Sequence, residues 1–328
     1  MIPSRASGGG RLLLFLLFCA GVPILAAAGD SGNQSGACDQ ACCVDGELWE
    51  RDCEGCCREP LFGLIRPTDI CYSDFISPIT NPVFFEDPRN LTEARFIYIN
   101  HGLPAALGGG DLNVMALQLR AAITDRLSII ATKDGFIFAG PDAPIDDGWA
   151  DVAAGLKYLI YADPDTQRLL SGGVVYEIPA GTPRAAQGNG DGEFNLFLTG
   201  GAQLGDSWHV ISTPGLRLPS NTSTETQMFY WSNHLDRKLG WQGWYALTEL
   251  NWYHYMSNGN GGINGIGGLD LFNLGSTNVA GLNVLTWAFG LKYKPTQLSE
   301  IGIAYEIPVT SNLDVIRNRL TFDIRLRY

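Results

Sequence analysis

The sequence predicts an all-β protein: an up-and-down antiparallel transmembrane β-barrel of about twelve strands behind an N-terminal Cys-rich irregular segment. Three observations predict it. First, the stretch 314–328 alternates: Ile316, Leu320, Phe322, Ile324, Leu326 and Tyr328 share one face, and Arg317, Arg319, Thr321, Asp323, Arg325 and Arg327 share the other. A strand sends successive side chains to opposite faces, so one face is apolar and the other charged or polar. Second, the chain breaks into similar segments from residue 92 onward. Third, the connections between them are short after even-numbered segments and mostly longer after odd-numbered ones. Short periplasmic turns alternating with long external loops is the pattern of outer-membrane barrels, and a soluble barrel has no reason for it.

The predicted strands are 92–100, 111–122, 127–138, 149–161, 168–179, 193–203, 207–218, 225–235, 241–254, 281–293, 299–308 and 314–328. Strands three and eight alternate poorly. The short links include 124–126, 162–167, 205–206 and 294–298; the longer ones are 101–110, 139–148, 180–192, 219–224 and the Gly/Asn-rich 255–280. Aromatic residues sort by strand parity. Tyr158, Tyr293 and Tyr328 fall on one rim, and Trp149, Tyr176, Trp252 and Tyr305 fall toward the other, as two membrane interfaces require. Strand twelve should close the ring on strand one. Its end, Phe322, Ile324, Leu326 and Tyr328, is similar to the C-terminal strand that barrel assembly machinery reads.

Ahead of the barrel (92–328), Arg5 and Arg11, the apolar run 12–20 and the small residues Ala26–Ala28 predict a signal peptide over 1–28. Residues 29–91 form a linker and head. Cys38, Cys42, Cys43, Cys53, Cys56, Cys57 and Cys71 follow a C-x3-C-C, C-x2-C-C pattern. In an exported chain this reads as disulfides, with zinc as the alternative, because C-x2-C can supply two tetrahedral ligands. No other cofactor is expected. The Pro-rich stretch 60–90 has no period; it either plugs the lumen or lies in the periplasm. The 328-residue chain carries a net charge of −12, which argues against nucleic acid as a partner, and its 40 glycines suit strands and turns.

Two hairpins repeat: Gly155-Leu-Lys-Tyr158 with Tyr176-Glu-Ile-Pro179, and Gly290-Leu-Lys-Tyr293 with Tyr305-Glu-Ile-Pro308. In each, Lys157 or Lys292 and Glu177 or Glu306 face away from the tyrosines, toward the lumen. With Arg95, Arg120, Arg317, Arg319, Asp323 and Arg325 they make the candidate pore lining. Strands twelve, one and two together form an arginine-rich wall, opposed nearby only by Asp323 and Glu93. That wall is either a salt-bridge ladder or a path favouring anions.

Residues 92–328 resemble outer-membrane barrel proteins, themselves uncharacterised, of planctomycete-type bacteria. The likeness rests on Asn233-His-Leu-Asp-Arg237, Asp191-Gly-Glu-Phe-Asn195, Leu271-Phe-Asn-Leu-Gly275 and the Tyr-Glu-Ile-Pro hairpins. More loosely the chain resembles channel-type barrels grouped with aromatic-degradation pathways. The resemblance implies the outer membrane of a Gram-negative cell, contact with its lipid, and a channel or transporter for a small solute. It brings no catalytic residues.

Two other functions are open. Some twelve-stranded barrels are phospholipases whose His and Ser stand two apart before Asn-Gly. Here His254 and Ser257 stand three apart before Asn258-Gly259, which on a strand puts them on opposite faces. Ser232 and His234 have same-face spacing without a surrounding signature, and His101 and His209 look isolated. The chain is therefore read as a non-enzyme. A structural or adhesive barrel tethered by its Cys-rich head is the third reading.

Overall fold

The computed structural model describes residues 59–328. The signal peptide and the cysteines from Cys38 to Cys57 lie outside the described residues. The strands are β1 (Glu93–Gly102), β2 (Asp111–Ala122), β3 (Leu127–Lys133, resuming at Phe136–Ala139), β4 (Gly148–Trp149, resuming at Val152–Asp163), β5 (Arg168–Ile178), β6 (Glu193–Leu204), β7 (Trp208–Pro219), β8 (Met228–Lys238), β9 (Trp244–Tyr255), β10 (Asn283–Thr296), β11 (Ser299–Pro308) and β12 (Asn318–Arg327). The fourteen segments of the sheet make twelve barrel strands, because β3 and β4 are each broken in two. Neighbours in sequence pair antiparallel around the ring. β12 closes it on β1, with Glu93 opposite Arg327 and Arg95 opposite Arg325. Closure leaves no strand edge, which hydrocarbon demands because it offers backbone groups no partner.

Burial alternates along the strands. β12 buries Arg319, Thr321, Asp323, Arg325 and Arg327 and turns Leu320, Phe322, Ile324 and Leu326 outward. Phe96, Leu119, Leu156, Val174, Leu198, Phe289 and Ile303 are likewise exposed on the outer wall. So continuous an apolar belt is stable against lipid and not against water. Aromatic pairs mark its two borders. Trp244–Tyr293 sits near the rim of short turns, with centroids 4.9 Å apart; Phe136–Trp149, at 5.1 Å, and Phe229–Trp252, at 5.5 Å, sit toward the opposite rim. The fold is an outer-membrane β-barrel.

Three of the strands that differ from the sequence expectation do so for a clear local reason. β12 begins at Asn318 rather than 314. Asp314 turns the chain with φ +48° and accepts the Gly267 and Gly268 amides, while Val315 and Ile316 pack inside. Ile316 is therefore not on the lipid face. Arg317 is not in the lumen either; it is exposed at the external rim, 2.9 Å from Asp111. β3 alternates poorly because it bulges: Thr132 and Lys133 are both buried, and the Asp134 carboxylate accepts the Leu117 amide where the ladder is interrupted. β8 starts three residues later than its pattern suggested. Its inward side carries Tyr230 and its outward side Asn233, which blurs the alternation.

A twelve-stranded ring lies between small barrels filled by their own side chains and open porins. Here the chain ahead of β1 fills it. The segment enters at the rim of short turns, where Arg66 bridges Ala122 and the Thr68 amide bonds the Tyr328 carbonyl. It passes into the lumen, turns at Asn81 (φ +48°), where the Phe84 and Phe85 amides return to the Asn81 carbonyl, and comes back to the same rim. There Asn90 bonds the Thr124 carbonyl and β1 begins. Of the stretch 60–90, the part from Tyr72 onward lies in the lumen, while residues 60–64 are exposed outside it at the short-turn rim.

Candidate functional site

The candidate site is the lumen and the plug within it, residues 72–92. The plug is seated by polar contacts from eleven of the twelve strands rather than by apolar packing alone. Its turn is held by β9, where the two oxygens of Glu249 accept the Ile79 amide at 2.8 Å and the Thr80 amide at 2.7 Å. Arg95 and Arg325 donate to the Ile79 and Pro78 carbonyls at 2.7 and 2.6 Å, and Lys292 donates to the Ser77 carbonyl at 2.7 Å. Asn81 donates to Ser232 on β8 at 2.7 Å, and Gln118 on β2 to the Pro82 carbonyl at 2.8 Å. Wall glycines make room. A Cβ on Gly302 would stand 2.6 Å from Ile79 Cδ1, and one on Gly201 3.2 Å from both Phe75 and Pro88. At the tip Phe84 stacks on Tyr230, with centroids 4.6 Å apart.

The arginine-rich wall exists, but it is neutralised. The Asp323 carboxylate accepts Arg95 Nε at 3.0 Å and Arg325 Nε at 2.9 Å. Glu93 pairs with Arg325 at 2.8 Å, Arg327 at 2.9 Å and Arg120 at 3.4 Å. The acids are not only Glu93 and Asp323: Glu300 pairs with Arg327 at 2.7 Å and with Lys292 at 3.1 Å, and Glu86 of the plug pairs with Arg120 and Lys157. Buried charges persist only when paired, which is why so many acids converge here. The repeated hairpins share position, not partners. Lys157 binds Glu86, whereas Lys292 binds Glu300; Glu177 pairs with Lys133, whereas Glu306 accepts from Asn251 and Thr286 and stands 3.7 Å from Arg319.

His209 is not isolated. Its Nδ1 faces Asp236 at 2.8 Å, Asp236 faces His234 Nε2 at 3.0 Å, and His234 Nδ1 faces Glu249 at 2.7 Å. This buried chain crosses β7, β8 and β9 and ends on the plug's turn. His101 is engaged as well, between the Val315 carbonyl at 2.8 Å and Arg319 Nε at 3.1 Å. Of the hydrolase candidates, His254 faces Asn283 at 3.0 Å, while the Ser257 hydroxyl accepts the Gln227 amide at 2.9 Å. No bond joins them among the described contacts. Ser232 is taken by Asn81 and His234 by two carboxylates. Cys71, whose carbonyl accepts Gln167 at 2.9 Å, lies where the plug enters.

The loop 256–282 caps the lumen from the external side. Asp270 accepts both arms of Arg319, at 2.9 and 2.8 Å, and Arg217 donates to the Leu269 and Phe272 carbonyls. Two of the strings singled out in the sequence meet here: Asn273 Nδ2 donates to Glu193 at 2.6 Å. Sequence reasoning missed Glu86, Asp270, Lys294 and Glu249. A signal existed for two of them. Asp270 is the lone charge in the uncharged run 256–280, and Glu86-Asp-Pro-Arg89 is a charged knot in an otherwise apolar stretch.

No protein-family model matches the sequence, and no curated protein is similar to it. Among solved structures it is similar to an outer-membrane channel from Pseudomonas putida F1. The identity is 12%, the TM-score 0.54, and the match covers 77% of this chain and all of that one. A porin, KdgM, matches at 11% identity and TM-score 0.43 over 71% of this chain and 99% of its own. The first likeness bears on the fold alone.

In the loop before β8, Glu225 accepts the Asp191 amide and Asn273 Nδ2, both at 3.3 Å. Burial, aided by the neighbouring Glu193 carboxylate, pushes its pKa up to about 7. A carboxyl whose pKa is raised in the folded state contributes stability that is fully present below its unfolded pKa and is lost by the time pH has risen through the folded value. Protease cleavage within 256–282 is therefore expected to accelerate as pH rises from about 4.5 to about 7 and to level off above that. Glu225→Gln should flatten that dependence.

Proposed function

We propose that this barrel is a gated outer-membrane channel for a small anionic solute, captured here closed. One observation carries the reading: the lumen is filled by a loop of chain tethered at one rim and held chiefly by hydrogen bonds and ion pairs. A filler built from wall side chains could not leave without unfolding the barrel. A loop with both ends at the short-turn rim can withdraw as a unit, exchanging its polar contacts for water. The motif likeness to planctomycete-type barrels and the fold of the Pseudomonas putida channel both support a transport role. The outward series Phe322, Ile324, Leu326 and Tyr328 is read as the face offered to barrel assembly machinery.

Lys294 is the cleanest handle on the gate. Its ammonium donates to the plug carbonyls of Ser73 and Phe75, so its loss weakens the seat without breaking a wall ion pair. Each lost hydrogen bond to a charged group is worth on the order of 1.5–3 kcal/mol, about tenfold or more in an equilibrium. In planar bilayers the wild-type protein should open rarely. Lys294→Met combined with Glu249→Gln should raise the open fraction at least about tenfold. If the double variant exposes residues 72–92 to protease yet conducts no more, the barrel is structural and the channel reading is wrong.

The hydrolase reading is not favoured, because His254 and Ser257 bond different partners. Ser257→Ala should leave any phospholipid hydrolysis by the reconstituted protein unchanged from the wild-type level. A clear loss of activity would overturn the non-enzyme reading.

A further inference from the structure

The plug's hold on β2 and β4 has the form of a bound ligand. Glu86 presents its carboxylate to Arg120, which grips it with two arms: Nε to Oε1 at 2.9 Å and Nη2 to Oε2 at 2.6 Å. Lys157 Nζ donates to Oε1 at 2.8 Å. Such a planar two-point guanidinium grip with an added ammonium is how proteins recognise a free carboxylate. Hydroxyl groups ring the place. Thr199 and Thr213 donate to the Glu86 carbonyl at 2.7 and 3.2 Å, and Ser171 to the Pro88 carbonyl at 2.6 Å.

What decides the matter is what the wall keeps when the plug is gone. The remaining bonds of Lys157 run to the Asp87 and Arg89 carbonyls, at 2.6 and 2.8 Å, and these too belong to the plug. Its ion pair among the described residues is with Glu86. The second acid of Arg120 is Glu93, at 3.4 Å, and Glu93 is already shared with Arg325 and Arg327. Withdrawal therefore leaves an ammonium and a guanidinium short of negative charge and lined by hydroxyls. An incoming anion restores the balance.

We propose that Arg120 and Lys157 form a carboxylate-binding site inside the channel and that Glu86 is its resting occupant. A carboxylate solute takes the place of Glu86 as the plug leaves, so the solute helps to open its own path. The inference rests on the gated-channel reading. It names a carboxylate because the two Glu86 oxygens each meet one arm of Arg120, a planar two-point match.

Propionate is the Glu86 side chain as a free molecule, and it is the probe. Titration calorimetry of full-length protein in detergent should show propionate binding to Glu86→Ala at least about tenfold tighter than to wild type, whose site is filled. Propionamide, the uncharged analogue, should not bind. Adding Lys157→Met to Glu86→Ala should weaken propionate at least about tenfold. In bilayers, propionate but not propionamide should raise the open fraction of wild-type channels, which needs no Glu86 variant to fold. The proposal is overturned if Glu86→Ala binds propionate no better than wild type, if propionamide binds equally, if inorganic phosphate binds more tightly, or if wild-type channels conduct and propionate leaves their gating unchanged. Because calorimetry does not require conduction, binding without any conductance would remove the channel reading and leave the site standing.

Discussion

Everything in this molecule depends on matching charge across the boundary between plug and wall. The lumen buries Arg95, Arg120, Lys157, Lys292, Lys294, Arg325 and Arg327. A buried cation without a partner costs several kcal/mol, so these side chains dictate what lies beside them. Some acids come from the wall itself, such as Glu93, Glu300 and Asp323. The rest of the balance comes from the plug, through Glu86 and through the carbonyls of a backbone that forms no regular structure and therefore has free acceptors. A Pro-rich segment suits this role. With few internal hydrogen bonds of its own, it offers its carbonyls to the lysines and arginines around it.

The same arrangement is what the proposed gating requires of a filled barrel. Apolar contacts such as Phe84 on Tyr230 and Ile79 over Gly302 fix the shape of the plug, but its polar contacts can be exchanged for water or for an ionic solute. On the external side, the cap uses the same chemistry on a smaller scale, with Asp270 clamped by Arg319 and Asn273 held by Glu193 and Glu225. The two closures meet in one apolar cluster that joins Phe84 of the plug to Leu269, Leu271 and Phe272 of the cap. The His209–Asp236–His234–Glu249 chain ties three strands of wall to the plug's turn.

The barrel was legible in the sequence because lipid imposes a two-residue period on most of the strands; β12 from Asn318 onward and the closure on β1 follow from it. The phase failed at Arg317 and Ile316, where alternation continued by chance into a turn fixed by Asp314. The inward placement of Arg95, Arg120, Lys157 and Lys292 was legible too, since a charge on the outer wall would face hydrocarbon. Their partners were not. Glu86 lies 34 residues from Arg120 and 71 from Lys157, in a segment without period, and nothing local marks a carboxylate that meets its cations only after the barrel closes. The plug could be named as one of two places for residues 60–90, but not chosen, because alternation says nothing about a chain that pairs with side chains instead of strands.

The central claim is that residues 72–92 are a structured occupant of the lumen. Hydrogen–deuterium exchange on the full-length protein in lipid bilayers tests it most directly. The account predicts that the amides of Ile79 and Thr80, bonded to Glu249, and those of Phe84 and Phe85, bonded to Asn81, are protected to nearly the extent of the strand amides. Exchange across 72–92 as fast as that of an unstructured peptide, with the strands still protected, would contradict it.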